Sequence, residues 1–257
     1  MPRPLRKAAE RIRLPGSKMR KEFVLILVVF LTFSGSLLAQ EEKTGYELGV
    51  FAAWQTWKAN TFQIGPPQAS IPVNFGFRYE DRIAYGVRGN FLSHGHWAGE
   101  LSYSYQKNPI TITNESNPSA SPITLGGSVH QIFYNEVFYP AQYRRWVTPF
   151  ITGGIGVAGY QLSEGARESV APQNGLDNLK KLDTRVALNY GVGMKVNIDS
   201  HVGFRADFRH IVSDVPSYGL PKQSSNPAQV VLPTHGKLQT FEYSFGIFVR
   251  HLSLGFR

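Results

Sequence analysis

From Arg185 to Ile198 the chain alternates without interruption. Val186, Leu188, Tyr190, Val192, Met194, Val196 and Ile198 share one face, and Arg185, Ala187, Asn189, Gly191, Gly193, Lys195 and Asn197 share the other. A period of two is the pattern of a β-strand whose two faces meet different surroundings. Fourteen residues of it exceeds the ~5–6 residues of an average soluble strand. The chain must therefore build long strands that are apolar on one side only.

The pattern recurs seven more times. A first strand, about Tyr46 to Trp57, places Tyr46, Leu48, Val50, Ala52 and Trp54 on its apolar face. A second ends near Leu92 and sets Ile83, Tyr85, Val87 and Phe91 against Arg82, Ala84, Gly86, Arg88 and Asn90. Its phase runs back through Phe75, Phe77 and Tyr79, which predicts a strand projecting beyond its neighbours. A third, His96 to Lys107, opposes Trp97, Leu101, Tyr103 and Tyr105 to Glu100, Ser102 and Ser104. The fourth, Ser128 to Tyr139, carries aromatic and polar groups on both faces, so its phase stays open. The fifth, Val147 to Leu162, is rich in glycine, and Arg185 to Ile198 is the sixth. A seventh opposes Val202, Phe204, Phe208 and Val212 to Arg205, Asp207 and Arg209. The eighth opposes Phe241, Tyr243, Phe245, Ile247 and Val249 to Glu242, Ser244, Gly246 and Arg250.

Connections after the even strands are short, and those after the odd strands are long, polar and rich in Pro, Ser, Asn and Gly. Short turns on one rim and long loops on the other is the layout of outer-membrane barrels, with the short turns periplasmic. A soluble barrel would alternate equally well with its apolar face inward. Three features oppose that: an export segment, aromatic residues near strand ends on the apolar face (Trp54, Trp97, Tyr105), and small residues between the charges of the polar face.

The export segment begins at Met19. Arg20 and Lys21 precede an apolar run from Phe23 to Phe33, followed by small and polar residues up to Ala39 and Gln40. That is the three-part plan of a secretory signal, with cleavage after Ala39. The apolar run is shorter than the ~20 residues a membrane helix needs. Translation from Met1 or from Met19 is compatible with this plan. Residues 1–22 hold eight of the 27 Lys and Arg and two of the 18 Asp and Glu, so six of the nine net positive charges lie there. The rest of the chain is nearly balanced, which removes the basic footprint expected of a nucleic-acid binder. With no Cys, a disulfide framework, a thiolate metal site and a Cys-anchored lipoprotein are excluded. The expectation is an all-β chain: an N-terminal signal peptide and extension (1–39), then an eight-stranded antiparallel up-and-down transmembrane β-barrel (40–257).

Thr184 to Leu220, with the segments VHQIFYNEVFYP and VTPFITGGIGVAGY, resembles the OmpA-like outer-membrane β-barrel superfamily. Within it, the likeness is to small barrels described only as an outer membrane protein beta-barrel domain. It spans residues 46–251. The resemblance implies a bacterial outer-membrane location and surroundings of outer-membrane lipid and lipopolysaccharide. It also implies the barrel-assembly machinery as partner during biogenesis, with no nucleic acid and no cofactor. Such barrels usually end on an aromatic residue. Here Phe256 precedes Arg257, and Phe256 is the expected assembly signal. No peptidoglycan-binding module is expected after the eighth strand.

The lumen face is expected to carry Glu47, Arg88, Glu100, Lys195, Arg205, Asp207, Arg209, Glu242 and Arg250, joined by Glu136 if the fourth strand is phased that way. An unpaired buried ion costs several kcal/mol, so charges confined in a narrow barrel must pair. They form either a salt-bridge plug or a gated ion path, and the plug is preferred because eight strands leave room for side chains rather than water. A rival enzymatic reading, lipid A modification, would use His210 with Ser213 and Asp214. A separation of three places His210 and Ser213 on opposite faces of a strand, so no catalysis is expected. His94 and His96 flank a turn with no third ligand near, and no metal site is expected. The function expected is structural, anchoring or weakly pore-like with outward loops, against the alternatives of a lipid A enzyme or a small-solute channel.

The basic–apolar–small order before Gln40 leads to a first expected outcome. Protein recovered from outer-membrane fractions should begin at or near Gln40 by N-terminal sequencing; an intact N-terminus would overturn the signal assignment.

Overall fold

A computed structural model describes residues 45–58, 60–63, 74–92, 96–115, 117–140, 146–171, 179–222 and 236–252. The export segment, its cleavage site, His94, the turn around Arg144 and Arg145, and Phe256 lie outside the described residues.

Eight long strands form the body: β1 (Gly45–Trp57), β4 (Arg82–Leu92), β5 (Trp97–Lys107), β8 (Gly127–Phe138), β9 (Val147–Leu162), β10 (Leu182–Asn197), β11 (Val202–Asp214) and β12 (Lys237–Leu252). They close in the order β1-β12-β11-β10-β9-β8-β5-β4, and β1 pairs antiparallel with both β12 and β4. Even the eleven-residue β4 extends ~37 Å, or roughly 28 Å across a membrane at a ~40° tilt, enough for the ~25 Å apolar band of such a barrel. The predicted phase holds on β10: Val186, Leu188, Tyr190, Val192, Met194 and Ile198 are exposed on the outer wall, while Asn189 and Lys195 are buried inside. Trp54, Tyr85 and Tyr105 stand exposed towards the long-loop rim, and Trp97 and Trp146 at the short-turn rim, where aromatic girdles belong.

The open phase of the fourth predicted strand is resolved on β8. Val129, Gln131, Phe133, Asn135 and Val137 are buried towards the lumen, so Glu136 points outward and leaves the predicted lumen set. The β8–β9 pair coils tightly: a Cβ on lumen-facing Gly154 or Gly156 would stand 2.2 Å from the Tyr134 carbonyl oxygen or 2.0 Å from that of Ile132. Only glycine admits that approach, which accounts for Gly154 and Gly156 in the glycine run. At the β10–β11 turn, the Asp199 carboxylate accepts from the backbone N–H of His201 and Val202 at 2.6 and 2.8 Å. Those two donors hold its pKa below the usual carboxylate range.

Two long connections hold more structure than loops. A second antiparallel sheet, ordered β2-β3-β6-β7, is built from β2 (Asn60–Gln63), β3 (Asn74–Tyr79), β6 (Ile110–Asn114) and β7 (Ile123–Leu125). The projection expected through Phe77 and Tyr79 exists, but it leaves the barrel. After a short break before β4, β3 pairs with β6 instead of a barrel neighbour. The Asn108 amide bridges the break, accepting from the Glu80 N–H at 3.0 Å and donating to the Glu80 carbonyl at 3.0 Å. It replaces the peptide pair the ladder loses there.

Beneath this sheet lies the main apolar core. Trp57, Phe77, Tyr79, Ile110, Ile112, Leu125, Val129, Tyr160, Leu162, Ile211, Tyr218 and Leu238 are buried together. The Tyr79 and Tyr218 hydroxyls are 2.7 Å apart. Burial pushes the Tyr218 hydroxyl well above the usual phenol range, so this tie stays neutral. The opposite end holds a smaller cluster of Leu92, Ala98, Val137, Tyr139 and Phe150.

Sidedness follows from the unequal rims. A cysteine introduced by Ser119→Cys, in the β6–β7 turn, should react with an impermeant maleimide on whole cells. One introduced by Ser200→Cys, in the β10–β11 turn, should react only after the outer membrane is breached. The reverse pattern would invert the topology.

Candidate functional site: the charged lumen

Inward positions on six strands bring the predicted charges into one column. Glu47 comes from β1, Arg88 from β4, Glu100 from β5, Lys195 from β10, Arg205, Asp207 and Arg209 from β11, and Glu242 and Arg250 from β12. All nine are buried, the most exposed being Arg250 at 7 %. Ions this dry are tolerable only when paired and hydrogen-bonded.

The centre of the column is a five-ion cluster. Asp207 receives Arg88 from across the lumen, Arg205 at 2.8 Å and Arg209 at 3.3 Å. Glu100 faces the same arginines, with Arg205 at 2.6 Å and Arg209 at 2.7 Å. Arg205 and Arg209 are thus each held between two carboxylates. The period of two explains this, since positions 205, 207 and 209 project from one side of β11. Aromatic faces cover the guanidinium groups: Arg88 lies 4.0 Å from the Phe51 ring centroid and Arg205 lies 4.3 Å from that of Phe150.

Towards the short-turn rim, Glu47 pairs with Lys195 and with Arg250, the latter at 2.6 Å. Lys195 also donates to the Tyr139 hydroxyl at 2.7 Å, and Arg250 to the Asn197 side-chain carbonyl at 3.1 Å. Towards the long-loop rim, Glu242 stands opposite Arg209 in the β11–β12 ladder. It accepts from the Gln55 amide at 2.7 Å and makes no ion pair among the described residues.

The column holds five cations and four anions. Its central cluster has three arginines to two carboxylates, and its lower cluster two cations to one. Carboxylates are the scarcer partner, so losing one leaves more charge uncompensated than losing an arginine.

The neutral polar groups between the charges were not singled out in the sequence. Asn135 donates to Glu100 at 3.0 Å, and Asn189 donates to Asn135 at 2.7 Å. Asn90 links the two ion clusters, donating to Glu47 at 3.3 Å and accepting from Arg205 at 3.4 Å. Their signal was the strand phase they share with the charges. Phe51 and Phe150 carried a different signal, large aromatic residues on a face otherwise polar or small.

The rival catalytic set does not assemble. His210 faces outward, bonded through Nδ1 to the Tyr190 hydroxyl at 2.6 Å and stacked 4.6 Å from Phe241. Ser213 faces inward, 2.6 Å from the Tyr160 hydroxyl, and Asp214 pairs with Lys237 at 2.6 Å on the rim. His96 lies at the short-turn rim against the Tyr139 carbonyl, at 2.6 Å.

Comparison with known proteins agrees with the architecture. The sequence pattern of the family described as "Outer membrane protein beta-barrel domain" matches residues 25–232, and the chain belongs to that family. No curated protein matches the chain. Among solved structures it is similar to the outer membrane protein OprG of Pseudomonas aeruginosa, at 12% identity and a TM-score of 0.55, covering 83% of this chain and 98% of that one. It also aligns with Neisserial surface protein A, at 11% identity and a TM-score of 0.44, over 81% and 99% of the two chains. At such identities the OprG likeness bears on the fold alone. Family and fold together place the chain in the bacterial outer membrane.

The cluster sets an expected outcome for stability. Asp207→Asn leaves three arginines facing Glu100 alone, and breaking a buried pair of this kind costs about 3–5 kcal/mol. The urea unfolding midpoint of the refolded barrel should fall accordingly. A midpoint equal to the parent's would show the charges to be solvated.

Proposed function

We propose that this member of the outer-membrane β-barrel family is a closed structural barrel that anchors the β2-β3-β6-β7 sheet beyond its long-loop rim, with neither bulk conduction nor catalysis. The observation that carries this reading is the filled lumen. The ion column occupies the middle, and apolar cores stand above and below it. A narrow eight-stranded barrel leaves room for side chains rather than a water channel, and moving ions past the column would require breaking several buried pairs at once.

The long-loop rim faces the exterior in this reading, so the outer sheet is the surface that meets whatever the cell encounters. Lipopolysaccharide and phospholipid bathe the outer wall, and the barrel-assembly machinery is the partner during insertion. Separation of His210 and Ser213 on opposite faces of β11 supports the non-enzymatic part.

Planar-bilayer recording of the refolded protein should show no steady openings. Lipid A from cells expressing it should keep its mass, whether Ser213 is intact or replaced by Ser213→Ala. Sustained ohmic conductance would replace the closed barrel by a pore, and a lipid A mass shift abolished by Ser213→Ala would replace it by an enzyme.

A further inference from the structure

Glu136 breaks the rule of the outer wall. The outward positions of β8 are Ser128, His130, Ile132, Tyr134, Glu136 and Phe138. Among the outward positions of the described barrel strands, the other Asp, Glu, Lys and Arg side chains (Lys107, Asp214 and Lys237) stand at strand ends on the long-loop rim. Glu136 lies inside its strand, about 7 Å along it from Phe138. Phe138 packs against Trp97 of the short-turn girdle, with ring centroids 4.8 Å apart. The carboxylate therefore sits one strand repeat to the membrane side of an interfacial belt, within reach of the headgroups at that belt. An ionisable side chain on a membrane-facing wall is costly and calls for a partner. Among the described residues no cation pairs with it.

The wall around Glu136 is shaped. Its neighbours across both ladders are glycines, Gly99 on β5 and Gly153 on β9. Tyr134 folds over Gly99, where a Cβ would stand 2.9 Å from its hydroxyl, and that hydroxyl donates to Glu136 Oε1 at 2.9 Å. On the other flank the space over Gly153 is open, the nearest atom to a Cβ there being the Asn189 carbonyl oxygen at 3.8 Å. The result is a notch with a carboxylate on one side.

On the opposite flank of Glu136 from the notch, beyond Tyr134 and Gly99, runs an apolar groove of about 850 Å³, lined by Leu48, Val50, Val87, Phe91, Leu101 and Ile247 among others. Leu101 pairs with Tyr134 in the β5–β8 ladder, one outward step from Gly99 and Glu136. Anion and groove therefore adjoin, with the anion nearer the rim and the groove nearer mid-membrane. That order matches an amphiphile with a cationic headgroup and a hydrocarbon tail.

We propose that Glu136, Tyr134 and the notch over Gly153 bind an amine-headgroup phospholipid, its ammonium on the Glu136 carboxylate and an acyl chain in the adjoining groove. A primary ammonium satisfies the carboxylate by charge and by N–H donation. A quaternary ammonium offers the charge without a donor, and a glycerol headgroup offers no cation. This assignment needs only that the outer wall meets lipid, so it stands or fails independently of the closed lumen.

The test uses the full mature barrel, refolded into nanodiscs with equal phosphatidylethanolamine, phosphatidylcholine and phosphatidylglycerol of matched chains. Retained lipids are counted by native mass spectrometry. The parent should retain phosphatidylethanolamine about tenfold over the other two, the value of one charged hydrogen-bonded contact. Glu136→Gln should abolish the preference, and Glu136→Asp should keep part of it. Gly153→Leu should abolish it with no change of charge, because its side chain enters open space on the lipid side. Heat-modified gel mobility checks that each variant is folded. Equal retention by the parent and Glu136→Gln would overturn the proposal. A parent dimer that Glu136→Gln dissociates would overturn it too, assigning the face to a second copy of the chain.

Discussion

In hydrocarbon no backbone N–H or C=O can be left without a partner, and the rest of this protein follows from how that requirement is met. β1 meets it by bonding to β12 on one side and β4 on the other, so the barrel sheet has no edge. Closure then gives the two-residue alternation two destinations. Outward side chains must suit lipid, and inward side chains must share a lumen the width of their own bulk. The lumen charges are forced together by this geometry. Pairing is what makes that confinement tolerable, as the chain Arg88–Asp207–Arg205–Glu100–Arg209 illustrates.

The lumen is closed with two materials because its surroundings change along the axis. At mid-membrane the polar inner face is filled by ions, amides and the aromatic rings that cover the guanidinium groups. At the long-loop end the walls continue beyond the membrane, and the space is filled by an apolar core beneath the second sheet. The change of material coincides with the change of pairing. Where β3 departs from the barrel and meets β6, Asn108 repairs the backbone, while Trp57, Tyr79 and Tyr160 gather underneath, with Tyr79 and Tyr160 ring centroids 5.6 Å apart. The outer sheet is thereby joined to the lumen by packed side chains, which is the feature the proposed anchoring role draws on.

The outer wall shows the same economy by exception. Its apolar run is interrupted by two histidine–tyrosine pairs, His130 with Tyr103 and His210 with Tyr190, and by Glu136. The histidines have their hydroxyl partners on the wall itself. Among the described residues Glu136 has Tyr134, which supplies a hydrogen bond and no charge, and that difference underlies the proposed lipid contact.

Much of this was legible in the sequence because a long strand with unlike faces writes its geometry directly into residue order. Period two identified the eight barrel strands, assigned Lys195, Arg205, Asp207 and Arg209 to one face, and separated His210 from Ser213, since parity along a strand is a local property. Alternation did not determine the phase of β8, where Tyr134 and Glu136 face Gln131 and Asn135 across the backbone and both faces are mixed. Only the ladders to β5 and β9, with glycines opposite Glu136, turned that residue outward. Nor did residue order reveal that β3 would leave β4's sheet for β6, because Phe77, Tyr79, Ile110 and Ile112 alternate equally well in either pairing. That choice, like the partners of each ion and the bond from Gln55 to Glu242, depends on which strands closure brings side by side. Strand parity is set by neighbours in the chain, and partnership by neighbours in space.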